Sequence, residues 1–253
     1  MSAAGPLLRP SDPDPVEWVN QDSPAPVLLL CEHAGQAVPS ALGGLGLPPQ
    51  AFDDHIGWDI GAAALARAIA ARGSAPLILQ RYSRLVIDCN RPPGTPQSVP
   101  SVSDGVEIAA NARASIAERA ARRREIFDPL DRAIGEGFAR HPRRAAFSIH
   151  SFTPRMNGHD RAWHAGFLAR ADADTAQALI THVAGAQEAL VLGLNEPYEI
   201  EDETDWFIPR HAEPRGLAHS LIEIRNDQLR DPAGVARWAG LLSDAIASIL
   251  EPD

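Results

Sequence analysis

Apolar positions along the chain fall into two patterns. Short runs at Pro26-Val-Leu-Leu-Leu-Cys31, 75–80, 83–89, 145–151, 163–169 and 220–224 are almost continuously hydrophobic. That is the signature of strands buried on both faces. Longer stretches at 59–72, 112–140, 172–190 and 235–250 carry apolar residues three and four apart among polar ones, which predicts helices. The first stops at Gly73, and Pro129 predicts a kink in the second. Strands alternating with helices imply an α/β fold with a mostly parallel or mixed sheet covered on both faces. Residues 1–25, rich in Pro, Asp and Ser, read as an irregular lead-in, and 26–253 as a single domain. Residues 92–111 form a long loop dense in Pro, Ser and Gly, and loops of that length are more often functional or mobile than filler.

The 253 residues can bury a large core, and 45% hydrophobic with 22% charged residues is ordinary for a globular protein. The net charge of −10 excludes long-range attraction to nucleic acid or anionic membrane. It leaves room for a small anionic substrate held by a local arginine patch. Arg119, Arg122, Arg123 and Arg124 are interrupted by Glu118 and Glu125 and read as a solvated helix face. Cys31 and Cys89 lie in apolar runs and read as core residues without a disulfide. The N-terminus lacks the pattern of a secretory signal, and no apolar stretch approaches the ~20 residues of a membrane span, so a cytoplasmic location is expected.

The chemistry gathers at strand ends. His33 follows the first buried run, and His150 closes Phe147-Ser-Ile-His150. Beyond the carboxyl ends of such strands is where ligands sit. Two imidazoles there suit a zinc ion, whose catalytic form takes three protein ligands and one open position. Asp59, Asp53, Asp54 and His55 are near the start of the first helix, and Asp59 also reads as a helix-terminal carboxylate. Glu32 reads as a partner for a ligating histidine. Arg84 and Arg91 bracket the run 83–89, with Asp88 able to brace one of them, and a guanidinium fork fits a carboxylate. Glu223, between Ile222 and Ile224, is costly to bury without a partner or a proton-transfer task. His211, Arg215 and His219 are candidate pocket or surface residues, and His164 reads as structural.

Four segments together resemble the N-formylglutamate amidohydrolase family: Cys31-Glu-His-Ala-Gly35, Tyr82-Ser-Arg-Leu-Val-Ile-Asp-Cys-Asn-Arg91, Ser148-Ile-His-Ser-Phe152 and Ile222-Glu-Ile-Arg-Asn-Asp227. The resemblance runs from about Pro26 to the C-terminal helix and implies a three-layer α/β/α sandwich related to zinc carboxypeptidases and aspartoacylases. It implies one zinc per chain on His33, Asp59 and His150. It also implies Glu223 as general base, Arg84 polarising the scissile carbonyl, and Asn90 with Arg91 holding the substrate carboxylate; Arg215, outside the resemblance, is a further candidate for substrate binding. The reaction implied is N-formyl-L-glutamate plus water to L-glutamate and formate. Two departures stand out. The carboxypeptidase relatives carry a glutamate ligand three residues after the first histidine, where this chain has Gln36. The histidine-utilisation enzymes carry Ser-Pro-His-Ser-Gly where this chain has Cys-Glu-His-Ala-Gly. A deacylase for another acyl-amino acid, or a carboxylate-binding protein without catalysis, are the alternatives, and iron, manganese or cobalt also suit the ligand types.

Overall fold

The structure is a computed structural model and describes residues 5–251. Seven strands form one mixed sheet: β1 (Val16–Val19), β2 (Val27–Cys31), β3 (Leu77–Gln80), β4 (Ala145–Phe152), β5 (Ala165–Leu168), β6 (Leu192–Leu194) and β7 (Ala218–Arg225). Their spatial order is β1-β3-β2-β4-β7-β5-β6. The four central strands β3, β2, β4 and β7 run parallel. Strand β1 pairs antiparallel with β3, β5 antiparallel with β7, and β6 parallel with β5.

Period-two alternation sends the side chains of each strand to opposite layers. Val27, Leu29, Phe147, Ile149 and Ile222 pack on one face against α1 (Ala62–Gly73), α4 (Ala173–Ala186) and α5 (Pro232–Leu250). Leu28, Leu30, Ile78, Ala146 and Leu221 pack on the other against α3 (Asp128–Arg140), which continues α2 (Ile116–Arg122). The result is the expected α/β/α sandwich. Each fully buried Leu contributes roughly 1.5–3 kcal/mol relative to exposure, so the two apolar layers carry the fold. Helix α5 is the one described helix long and apolar enough to cross a membrane. It lays Trp238, Leu242 and Ala245 into the core and carries Arg237 and Asp244.

Several expectations change. The lead-in contains β1, whose Val16–Val19 pairs with Leu77–Gln80 at the sheet edge. The turn-rich flanks conceal so short a strand. Strand β6 was not anticipated either. The run 83–89 is buried throughout, Arg84 excepted, but is not a strand. Side chains replace a ladder there: Asn111 Nδ2 donates to the Leu85 carbonyl at 2.7 Å and Arg122 Nη1 to the Val86 carbonyl at 2.8 Å. Arg122 is therefore not on a solvated face; it is completely buried, and Arg119 donates to the carbonyls of Asn111 and Val99. The helix irregularity falls at a π-turn, Arg123–Phe127, just ahead of Pro129, whose missing N–H fits the opening turn of α3.

Candidate active site

His33 lies just after β2 and Asp59 just before α1, and a backbone hydrogen bond joins the two segments. A Cβ on Gly35 would stand 2.0 Å from the Arg81 carbonyl oxygen, so only glycine allows the loop after β2 to lie on the chain leaving β3. The Asp59 backbone N–H donates to the His33 carbonyl at 3.0 Å. Helix α1 begins only at Ala62, which frees the Asp59 carboxylate to turn into the site rather than cap the helix. There it receives the Ser151 N–H at 3.2 Å.

His33, Asp59 and His150 offer ligand atoms all within 4.8 Å of one another, and all three are buried. His33 Nδ1 lies 3.4 Å and His150 Nδ1 2.9 Å from the same Asp59 oxygen, Oδ2. The opposite nitrogens are both backed by carboxylates: His33 Nε2 by Asp88 at 2.8 Å, and His150 Nε2 by Glu32 at 3.1 Å. Ser148 Oγ donates to the same Glu32 oxygen at 2.5 Å. A carboxylate behind Nε2 fixes the proton there and leaves the Nδ1 lone pair facing inward, which is how metal-binding histidines are oriented. His33 Nδ1 is buried without a hydrogen-bond partner.

Charge points the same way. Glu32, Asp59, Asp88 and Glu223 converge here, with Arg84 and Arg91 as the permanent cations lining the cavity. Burial would raise the Asp59 and Asp88 carboxyls, but His33 and His150 beside Asp59, and Arg84 and His33 beside Asp88, hold both well below the usual carboxylate range. Burial would lower His150, yet Glu32 and Asp59 raise it well above an ordinary histidine. This environment favours added positive charge, and the donor set of two imidazoles and a carboxylate fits a divalent ion with an open position.

Glu223 stands beside these ligands. It is the register partner of His150 on the adjacent parallel strand, and both side chains point to the same face. It is 7% exposed, one carboxylate oxygen has no hydrogen-bond partner, and burial pushes its pKa up to about 7 against the pull of His150. Arg84 spans the Asp59 and Asp88 carboxylates, donating to Asp59 Oδ1 at 3.2 Å and to Asp88 Oδ2 at 2.7 Å. His33, Asp59, Arg84, His150 and Glu223 line a cavity of about 310 Å3, together with Arg91 and Tyr198.

Two expected substrate-binding residues are differently engaged. Asn90 lines the cavity, but its amide donates to Asp205 at 2.9 Å and its oxygen accepts the Trp206 and Phe207 N–H groups, so it secures that wall. Arg91 lines the cavity with one guanidinium nitrogen on the Thr204 carbonyl. Arg215 does not line it. Its guanidinium donates to the His211 carbonyl and lies over the Phe138 ring, because Gly216 turns the chain away before β7 starts. His211 and His219 are buried and also outside the lining. His164 pairs with Val191 at the sheet edge, as its structural reading anticipated. Gln36, in place of the relatives' glutamate, donates to the Phe52 carbonyl and Asp53. The hold of Asp88 on His33 and the wall 198–205 were not foreseen, since neither shows a spacing pattern.

A solved structure of gene product Atu2144 from Agrobacterium tumefaciens is 35% identical, with a TM-score of 0.90, covering 97% of this chain and 100% of its own. N-formylglutamate amidohydrolase from Ralstonia eutropha JMP134 shares the fold at 18% identity and a TM-score of 0.61, covering 93% of this chain and 97% of its own. No curated protein sequence matches the chain. The sequence profile of the N-formylglutamate amidohydrolases matches residues 25–230, so the chain belongs to the N-formylglutamate amidohydrolase family and is of the amidohydrolase class.

Proposed function

We propose that the protein hydrolyses the amide bond of a small N-acylated amino acid that carries a carboxylate, with one zinc ion held by His33, Asp59 and His150. N-formyl-L-glutamate is the first substrate to test, because the family is described by it. The observation that carries the reading is the convergence of two inward Nδ1 atoms and the Asp59 carboxylate beside Glu223.

A zinc ion in this position supplies Lewis acidity toward water and the scissile carbonyl. The chain's own groups do the rest. Glu223, with a free buried oxygen, takes the proton of the attacking water and passes it to the departing nitrogen. Arg84, fixed by two carboxylates, stabilises the negative oxygen that develops on the carbonyl. Arg91 binds the substrate carboxylate from the cavity wall.

Elemental analysis of the purified protein should find about one zinc per chain. Hydrolysis of N-formyl-L-glutamate should stop with chelator and return with added zinc. Metal-free protein with full, chelator-insensitive turnover would remove the zinc from this reading. Tight binding of acyl-amino acids without turnover in the zinc-loaded protein would turn it into a carboxylate-binding protein.

A further inference from the structure

A second cavity of about 270 Å3 adjoins the first and shares Arg84, Arg91 and Tyr198 with it. Its walls combine the apolar Ile56, Leu85, Pro100 and Met156 with the polar Asp88, Gln97 and Ser103, and His55 and Asp104 stand toward the outside. Ile56 and Leu85 are buried. The outer wall belongs to the long loop 92–111, for which the hydrolytic chemistry has no use. That loop is built, not slack. Arg122 and Asn111 secure it from within: Asn111 Nδ2 donates to the Pro100 carbonyl at 2.7 Å, and Arg122 Nη1 to Asn111 Oδ1 at 2.7 Å. From outside, His55 bridges Asp54 at 2.7 Å and Asp104 at 3.0 Å, clamping the turn of the loop to the segment before α1.

We infer that the second cavity receives the acyl half of the substrate, and that this acyl group is an apolar chain of several carbons. The inference rests on the amide-hydrolysis reading above and adds the substrate class. Glu223 lines the first cavity and not the second. The departing nitrogen must meet Glu223, so the amino-acid half stays in the first cavity. The other side of the carbonyl then leads past Arg84 and Tyr198 into the second. A formyl group has no carbon to place there. A preformed, partly apolar cavity left to water beside the reacting carbonyl gains from a chain that fills it. The acidic groups of its lining are already paired, Asp88 with His33 and Arg84 and Asp104 with His55, and both ring nitrogens of His55 are committed to carboxylates, so a neutral chain suits the cavity better than a charged one.

The test compares kcat/KM for N-formyl-, N-acetyl-, N-butanoyl- and N-hexanoyl-L-glutamate with the zinc-loaded protein. The expected result is a rise with chain length, on the order of tenfold or more from formyl to hexanoyl. Ser103→Trp, on the cavity's outer wall, should collapse the hexanoyl-to-acetyl ratio, and Met156→Trp gives the same readout if the first variant folds poorly. Formyl as the best substrate, or a length preference that neither tryptophan alters, overturns this inference and leaves the amide hydrolase intact. No hydrolysis of any of the four overturns both.

Discussion

Glu223 and His150 occupy partner positions on adjacent parallel strands, β7 and β4, and rise from the same face of the sheet. The sheet register therefore places a buried carboxylate beside an inward-facing imidazole without any loop being involved. Rigid elements position such groups more tightly than loops do. Gly166, the partner of Glu223 on its other side, leaves space over the strand. A Cβ there would stand 1.6 Å from the Glu196 carbonyl oxygen. The segment carrying Tyr198 can thus lie directly on β5 and close the cavity.

Replacing Glu223 with Gln keeps the shape and removes the proton carrier. Steady-state kinetics should show kcat falling by about 10²–10⁴-fold, the usual range for a general acid–base group, while metal content stays at the wild-type level. Turnover near wild type would assign proton transfer to another group.

The buried Glu223 also predicts a pH signature. Its pKa is raised from the ordinary glutamate value to about 7, chiefly by burial. As a base it works ionised, so kcat/KM should fall on the acid side as it takes up a proton. Stability runs in the opposite sense. The folded state binds the proton more tightly than the unfolded chain, so the protonated group favours folding at low pH. That contribution is lost as pH rises from the unfolded value toward about 7. In chelator-treated protein, Glu223→Gln should melt higher than wild type at pH 8, and the gap should close near pH 5. Equal melting temperatures at both pH values would mean that Glu223 is not buried in this way.

Asp88 borders the second cavity and holds both His33 Nε2 and Arg84. Asp88→Asn preserves size but removes the charge that orients the imidazole. Zinc affinity, measured by competition with a chromogenic chelator, should weaken roughly 10–100-fold. Rescue of turnover by excess zinc separates this positioning role from a loss of fold. His33→Ala should abolish binding outright, and unchanged affinity in Asp88→Asn would show that the 2.8 Å contact does not support the site.

The fold and the meeting of His33 with His150 were legible because strand periodicity carries them. His33 and His150 each end a continuous apolar run, and Glu223 interrupts one, so burial and chemistry coincide in the pattern. Asp59 was identified through the family resemblance, and its release from the helix end depends on where α1 starts. The run 83–89 was misread as a strand because its hydrophobicity is real but its backbone partners are side chains from residues 111 and 122. No local pattern reveals such long-range satisfaction. The ties of Asn90 to the cavity wall were hidden for the same reason: its partners come from 205–207, over a hundred residues away.

Arg122 gives the sharpest test of that long-range bracing. Its guanidinium is fully buried and donates to the Val86 carbonyl, to Asn111 Oδ1 and, at 2.5 Å, to Glu118. Arg122→Ala leaves the Val86 carbonyl and the Asn111 oxygen buried and without this donor, and opens a void where the side chain lay. Glu118 is partly exposed and can turn to water, so its lost pair adds little. Destabilisation of roughly 3 kcal/mol is expected from the unsatisfied groups and the void, read as a lowered denaturant midpoint with unchanged slope. Arg122 also anchors both 83–89, which presents Arg84, and the loop walling the second cavity. Hydrogen exchange should therefore quicken at 85–111 before it does in β4 or β7. A variant with the expected loss of stability but uniform exchange would show that Arg122 supports the core as a whole and not this wall.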